Sequence, residues 1–151
     1  MLSCLIRAHA PGWAVTPRDA QSKGVRPPLG HPQSLRDSRA ELGSDALLAV
    51  TQFVILDAAG AHSSELARAY AAAALPNRRK LLQVLGFHDA DALDDALVDA
   101  LISRGTADDI AHRVAAHFAA GADHVSLYVL TAEPATPPIG QWRELAARLL
   151  E

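Results

Sequence analysis

A single cysteine, Cys4, excludes an internal disulfide and any thiolate metal cluster built within one chain. Lysine is almost as scarce: Lys23 and Lys80 are the only two, and the remaining basic residues are arginines. With abundant alanine, that bias reads as the coding habit of a GC-rich genome. No stretch approaches the ~20 apolar residues of a membrane helix. The opening MLSCLIRAHAPGW has too short an apolar run for a signal peptide, and Arg7 interrupts it. A reducing cytoplasm is the expected location. The net charge of -3 gives no reason to expect nucleic acid or an acidic membrane surface as a partner. The nine glycines are widely separated, so there is neither a Walker loop nor a G-x-G-x-x-G turn. No H-E-x-x-H and no G-x-S-x-G elbow occurs, and Cys4, near the chain's start, is a poor candidate nucleophile.

What remains is a globular composition, half hydrophobic and 21% charged, long enough for one domain with a core. The most informative stretch is Leu101 to Leu130. It reads as a short apolar run, a Gly-Thr turn, a capped helix, a glycine stop and a buried strand, which is a β-α-β unit. Thr106 and Asp109 have the spacing of a capping box, and Asp108 and Asp109 place negative charge at the positive end of the helix dipole. Ile110, Val114 and Phe118 mark the face to be buried. Gly121 suits a left-handed stop, and Val125, Leu127 and Val129 suit an apolar parallel strand.

Residues 1 to 22 show no period and read as a poorly ordered lead-in, followed by a Pro- and Gly-rich loop over Gly24 to Pro32. A short helix then runs from Pro32 to a stop at Gly43, and Phe53-Val54-Ile55-Leu56 reads as a buried parallel strand. After a turn at Gly60, Ser63 or Ser64 caps a helix that Leu75-Pro76 is expected to break. Pro76 then opens a second helix, stopped by Gly86, and Asp89 caps a third with Leu93, Leu97 and Leu101 on one side. A short strand near Leu101 is possible in this order. A Pro-rich loop after Leu130 leads to a last helix with Trp142, Leu145 and Leu149 on one face. Strands separated by helices imply parallel pairing, and so few parallel strands leave both edges open. A closed α/β barrel needs ~250 residues. The expected class is α/β, a partial TIM-barrel-like fold of parallel strands with flanking helices.

The best local candidate for a site is Arg104-Gly105-Thr106, where a strand ends and a helix begins. Free amides and the helix dipole can hold a phosphate or carboxylate there, with Arg104 as a second donor. An ordinary helix cap that binds nothing is the alternative. His112 and His117 are five residues apart, about 500° of helical rotation, and so face different ways rather than towards one metal. Arg78-Arg79 reads as exposed helix surface, and the aspartates of DADALDDALVDA read as helix-start charge and a solvated face.

Three segments are distinctive together: Pro76 to Phe87, ALVDALISRGTADDIAHRVAAHFAAGADHVSLYVL, and the closing QWRELAARLL. They resemble the C-terminal portion of the luciferase-like monooxygenase superfamily, and within it the actinobacterial deazaflavin-dependent oxidoreductases. ELGSDALLAVTQFVILD and KGVRPPLGHP resemble that family's preceding barrel segments, so the likeness covers residues 23 to 151. It implies a TIM-like barrel, a deazaflavin (F-420) or FMN held at the carboxyl ends of the strands, and hydride transfer between that cofactor and a small-molecule substrate. It also implies that the phosphate turn of such barrels falls at Arg104, Gly105 and Thr106. Family members begin with several β-α units that carry most contacts to the cofactor ring, and nothing in Met1 to Ser22 resembles them. The expectation is therefore a barrel lacking its N-terminal half, with no catalytic residue assigned in this chain. The alternative is a non-catalytic half-barrel that completes itself as a homo-oligomer or with a complementing partner.

Overall fold

The computed structural model describes residues 32–57, 63–84 and 86–150. The expected lead-in, most of the Pro-Gly loop and the turn at Gly60 lie outside them. Within them the chain is α/β. The elements in order are α1 (Pro32–Leu42), β1 (Ala49–Leu56), α2 (Ser63–Val84), a 3-10 turn (Ala90–Ala92), α3 (Asp95–Leu101), β2 (Ile102–Gly105), α4 (Ala107–Ala119), β3 (His124–Val129) and α5 (Ile139–Leu149).

The three strands form an open parallel sheet in the order β2-β1-β3. β1, the longest and the most continuously apolar, takes the centre and pairs on both sides: Phe53 with Ile102 and Tyr128, Val54 with Ser103 and Val129. Alternation along β1 then sends side chains to two separate layers. Ile55 and the partly buried Phe53 pack with Ala67, Ala71 and Leu82 of α2 and Leu97, Val98 and Leu101 of α3. Val50 and Val54 pack with Leu35 of α1, Ile110 and Val114 of α4, and Leu145 of α5. Crossover handedness explains the division. A right-handed connection from β1 out to β2 lays α2 and α3 on one face, and the return past β1 to β3 lays α4 on the other. Parallel strands with flanking helices are thus present as expected. Neighbours in this sheet do not follow chain order, however, and helices cover both of its faces.

Local chemistry sets the ends of the helices. Gly86 and Gly121 adopt positive φ, at 91° and 101°. At each, the glycine N–H and the next residue's N–H bond back into the last turn: Gly86 to Gln83 and Phe87 to Leu82, Gly121 to Phe118 and Ala122 to His117. These are Schellman stops, in which the left-handed residue satisfies carbonyls that the helix end would leave orphaned.

Two helix boundaries differ from the sequence reading. α2 does not break at Leu75-Pro76 but runs through Pro76 as one helix of 22 residues. Proline forfeits a backbone hydrogen bond inside a helix, yet Leu75 before it and Leu82 after it are both buried in the same layer, and that burial holds the two halves together. Pro76→Ala is therefore expected to raise stability by roughly 1–3 kcal/mol, read from urea denaturation midpoints. α3 starts at Asp95, not after Asp89. Asp89 makes no capping bond, Leu93 sits in the left-handed region at φ 48°, and Asp94 caps instead, accepting from the Leu97 N–H at 2.8 Å. The short strand follows directly as β2.

Candidate functional site

The loop after β1 leads to α2 on one face and the loop after β2 leads to α4 on the other. The chain therefore leaves an opening at the carboxyl ends of these two strands, where open α/β sheets bind ligands. A pocket of about 480 Å³ lies there, within the ~300–1,000 Å³ usual for small-molecule sites. Asp57 closes the end of β1, Ser63 and Ser64 come from the start of α2, and Ile102 to Gly105 supply β2. Asp99 of α3 and Asp109 and Arg113 of α4 complete the lining. Among the described residues Ile102 is its one apolar side chain, and the rest of that lining is polar.

Arg104 and Gly105 line this pocket, and Thr106 follows them as the cap of α4. Arg104 is committed to protein partners. Its Nε and Nη2 donate to Asp99 Oδ1 at 3.0 and 2.6 Å, and its Nη1 donates to Ser64 Oγ at 2.7 Å. The arginine thus ties α3, β2 and the start of α2 together around the pocket.

Thr106 and Asp109 form the anticipated capping box. Thr106 donates its backbone N–H and its hydroxyl to Asp109 Oδ2 at 2.9 and 2.7 Å, and the Asp109 N–H returns a 3.3 Å bond to Thr106 Oγ1. The same carboxylate lies over Gly105: a Cβ there would come within 2.5 Å of Asp109 Oδ2, and φ is +132°. Glycine is needed for both reasons. The amide that a phosphate would seek at this helix start therefore already faces an anion of the chain's own.

The hydrogen bonds from the Thr106 hydroxyl and backbone hold the Asp109 carboxyl below the usual carboxylate range. A depressed folded-state pKa stabilises the fold above the ordinary carboxylate value, near ~3.9, and that contribution disappears as pH falls through the lower folded value. The gap in melting temperature between the wild type and Asp109→Asn is accordingly expected to be full at pH 6 and to close below about pH 4. Thr106→Ala, which removes the cap, is expected to cost about 1 kcal/mol at neutral pH.

Two lining residues escaped the sequence reading. Ser103 is 6% exposed, and its hydroxyl has no hydrogen-bond partner among the described residues. Arg113 makes one long hydrogen bond, from Nη2 to the Asp99 carbonyl at 3.3 Å, and no ion pair among the described residues. Arg113 lies one turn after Asp109, a spacing that places both on one side of α4. The sequence carried that signal without saying what lay opposite.

No group of three or more potential ligands that could hold a metal occurs among the described residues. His112 is exposed, whereas His117 is fully buried and bonded to Gln52. Arg79 forms a two-pronged ion pair with Asp91 at the surface, away from the pocket. No helix among the described residues is long and apolar enough to cross a membrane. No protein-family model, curated protein or solved structure matches the chain.

Proposed function

We propose that the chain is a luciferase-like oxidoreductase domain that engages a reduced deazaflavin or FMN at the pocket beyond β1 and β2 and so serves hydride transfer to a small-molecule substrate. The observation that carries the reading is the position of this pocket, at the carboxyl ends of parallel strands and bounded by Arg104 and Gly105. The segments bearing the resemblance are Pro76 to Phe87, which includes the second half of α2, then α3 through β3, and α5.

The lining fits part of such a cofactor. A flat conjugated ring calls for apolar or aromatic walls, and Ile102 alone offers none of adequate extent. The hydroxyl- and acid-bearing side chain of a flavin or deazaflavin matches Ser63, Ser64, Ser103 and Arg113 far better. In this reading the chain's own residues bind and orient that polar side chain, and Arg104 keeps the pocket's walls in register. The bound cofactor supplies the hydride.

A barrel wall would set neighbouring strands in chain order with helices on one face. The open order β2-β1-β3 and the two helix layers depart from that on both counts. The partial-barrel form of the proposal thus rests on the resemblance, and the binding function rests on the pocket. Titrating the protein with FMN and with deazaflavin while following cofactor absorbance tests it. Absence of binding to either up to millimolar concentration removes the reading.

A second reading, a non-catalytic module that completes itself by association, is favoured by one observation. Among the described residues β2 and β3 each have a single strand neighbour, and Tyr128 on β3 is 41% exposed. Light scattering separates the two, since a stable monomer leaves the second without a basis.

A further inference from the structure

We infer that the pocket reads an anionic group of its ligand, a phosphate or a carboxylate, through Arg113 and Ser103 on the α4 flank, and not at the Arg104-Gly105-Thr106 turn. The inference deepens the proposed function and rests on it for the identity of the ligand. It follows first from what the turn already holds. Arg104 has its Nε, Nη1 and Nη2 all donated to Asp99 and Ser64. Thr106 directs its N–H and hydroxyl at Asp109, whose carboxylate covers Gly105. A phosphate placed there would displace one carboxylate while facing another, and like charges at that distance repel.

The other flank has the opposite character. Ser103 pairs in register with Val54, whose side chain belongs to the layer of α1, α4 and α5. Side chains on paired positions share a face, so the buried Ser103 hydroxyl is on the same side of the sheet as Arg113. Both line the pocket. One brings an unpartnered donor that is 94% buried, the complement of its 6% exposure. The other brings a guanidinium with most of its donors unused. A planar fork and a hydroxyl lining one pocket are groups suited to the oxygens of a phosphate or carboxylate. Asp99 and Asp109, which also line the pocket, are engaged by Arg104 and Thr106 respectively.

The test compares FMN with riboflavin, which differ by the phosphate alone, on the full chain and on Arg113→Gln, Ser103→Ala and Arg79→Gln, the last a surface arginine away from the pocket. The wild type is expected to bind FMN at least ~10-fold more tightly than riboflavin, the worth of one good charge-assisted contact. Arg113→Gln brings the two affinities to within about twofold. Ser103→Ala narrows the gap, and Arg79→Gln leaves it in place. Inorganic phosphate competes with FMN and not with riboflavin. Equal wild-type affinities, or a gap that survives Arg113→Gln or collapses with Arg79→Gln, overturn the inference while the proposed function stands. If neither flavin nor deazaflavin binds, the proposed function falls, and inorganic phosphate followed by amide chemical shifts decides the site separately. Shifts confined to Ser103 and Arg113 and lost in Arg113→Gln uphold it, and unmoved amides there reject it. Coincident melting curves for wild type and variants confirm that each is folded.

Discussion

His117→Ala is expected to lower the unfolding free energy by about 2–4 kcal/mol, among the larger losses available to one substitution in this chain. The side chain is fully buried on α4, and its Nε2 lies 2.8 Å from Gln52 Oε1 at the centre of β1. Gln52 is itself only 2% exposed, and its Nε2 donates to the Phe53 carbonyl at 2.9 Å. That bond fixes the amide so that its oxygen faces the imidazole, which requires His117 Nε2 to carry the proton. Alanine opens a cavity and leaves the Gln52 oxygen buried without its donor. The two losses add because neither can relax into solvent.

A double-mutant cycle isolates the pair. His117→Leu and Gln52→Leu each strand the other residue's buried polar group, whereas the double replacement removes both ends of the contact. The double variant is therefore expected to be more stable than the sum of the single losses by about 1–2 kcal/mol in urea denaturation. Strict additivity would mean that the contact contributes nothing. The pair also has a functional consequence. His117 lies one turn beyond Arg113, so anchoring it to β1 fixes the azimuth of α4 and hence the direction from which Arg113 and Asp109 approach the pocket. Loss of the pair is expected to weaken ligand binding beyond the drop in folded population.

The contrast between what could and could not be read from the sequence follows the range of the interactions. The Thr106–Asp109 box, the stops at Gly86 and Gly121, and the apolar faces of α4 and α5 depend on residues within a few positions of each other, and all were legible. The continuity of α2 through Pro76 was not, because the layer of α2 and α3 outweighs the local cost of proline. Strand order was not legible either. A parallel β-α-β pattern is the same whether the third strand continues outward or returns past the first, and packing of α4 against the far face of β1 decides it. Within the site, Arg104 and Gly105 of the anion turn suggested by the sequence line the pocket. The sequence had no means of showing that Asp99, five residues back, and Ser64, forty residues back, would engage the Arg104 guanidinium. Arg113, which the sequence reading did not single out, makes one long hydrogen bond among the described residues.

Arg39→Ala is the second substitution expected to cost about 2–4 kcal/mol, and for a different reason. Its guanidinium joins three segments that otherwise meet only at their ends. Nε and Nη2 donate to the Gly121 carbonyl at 3.0 and 2.7 Å, and Nη1 donates to the Gly43 and Ala46 carbonyls at 2.9 and 2.7 Å. Nη2 also pairs with Asp123, whose Oδ2 accepts the Leu48 N–H at 2.8 Å. The stop of α1, the entry to β1 and the α4-β3 turn are thus tied to one side chain, 21% exposed. Removing it leaves three carbonyls and one carboxylate to find water at a partly buried junction, and each unsatisfied group adds to the loss. Arg39→Lys discriminates between charge and fork. A lysine restores the charge opposite Asp123 but has no planar set of donors to span Gly121, Gly43 and Ala46 together, so it is expected to recover less than half of the stability lost to alanine. Equal stability of the lysine variant and the wild type would show that net charge at this junction is sufficient. Amide exchange supplies the local readout. In Arg39→Ala, protection is expected to fall first at Leu48 and Asp123, whose N–H groups close the start of β1 against β3. Protection in the layer of α2 and α3, which Arg39 does not touch, is expected to fall only with the global stability.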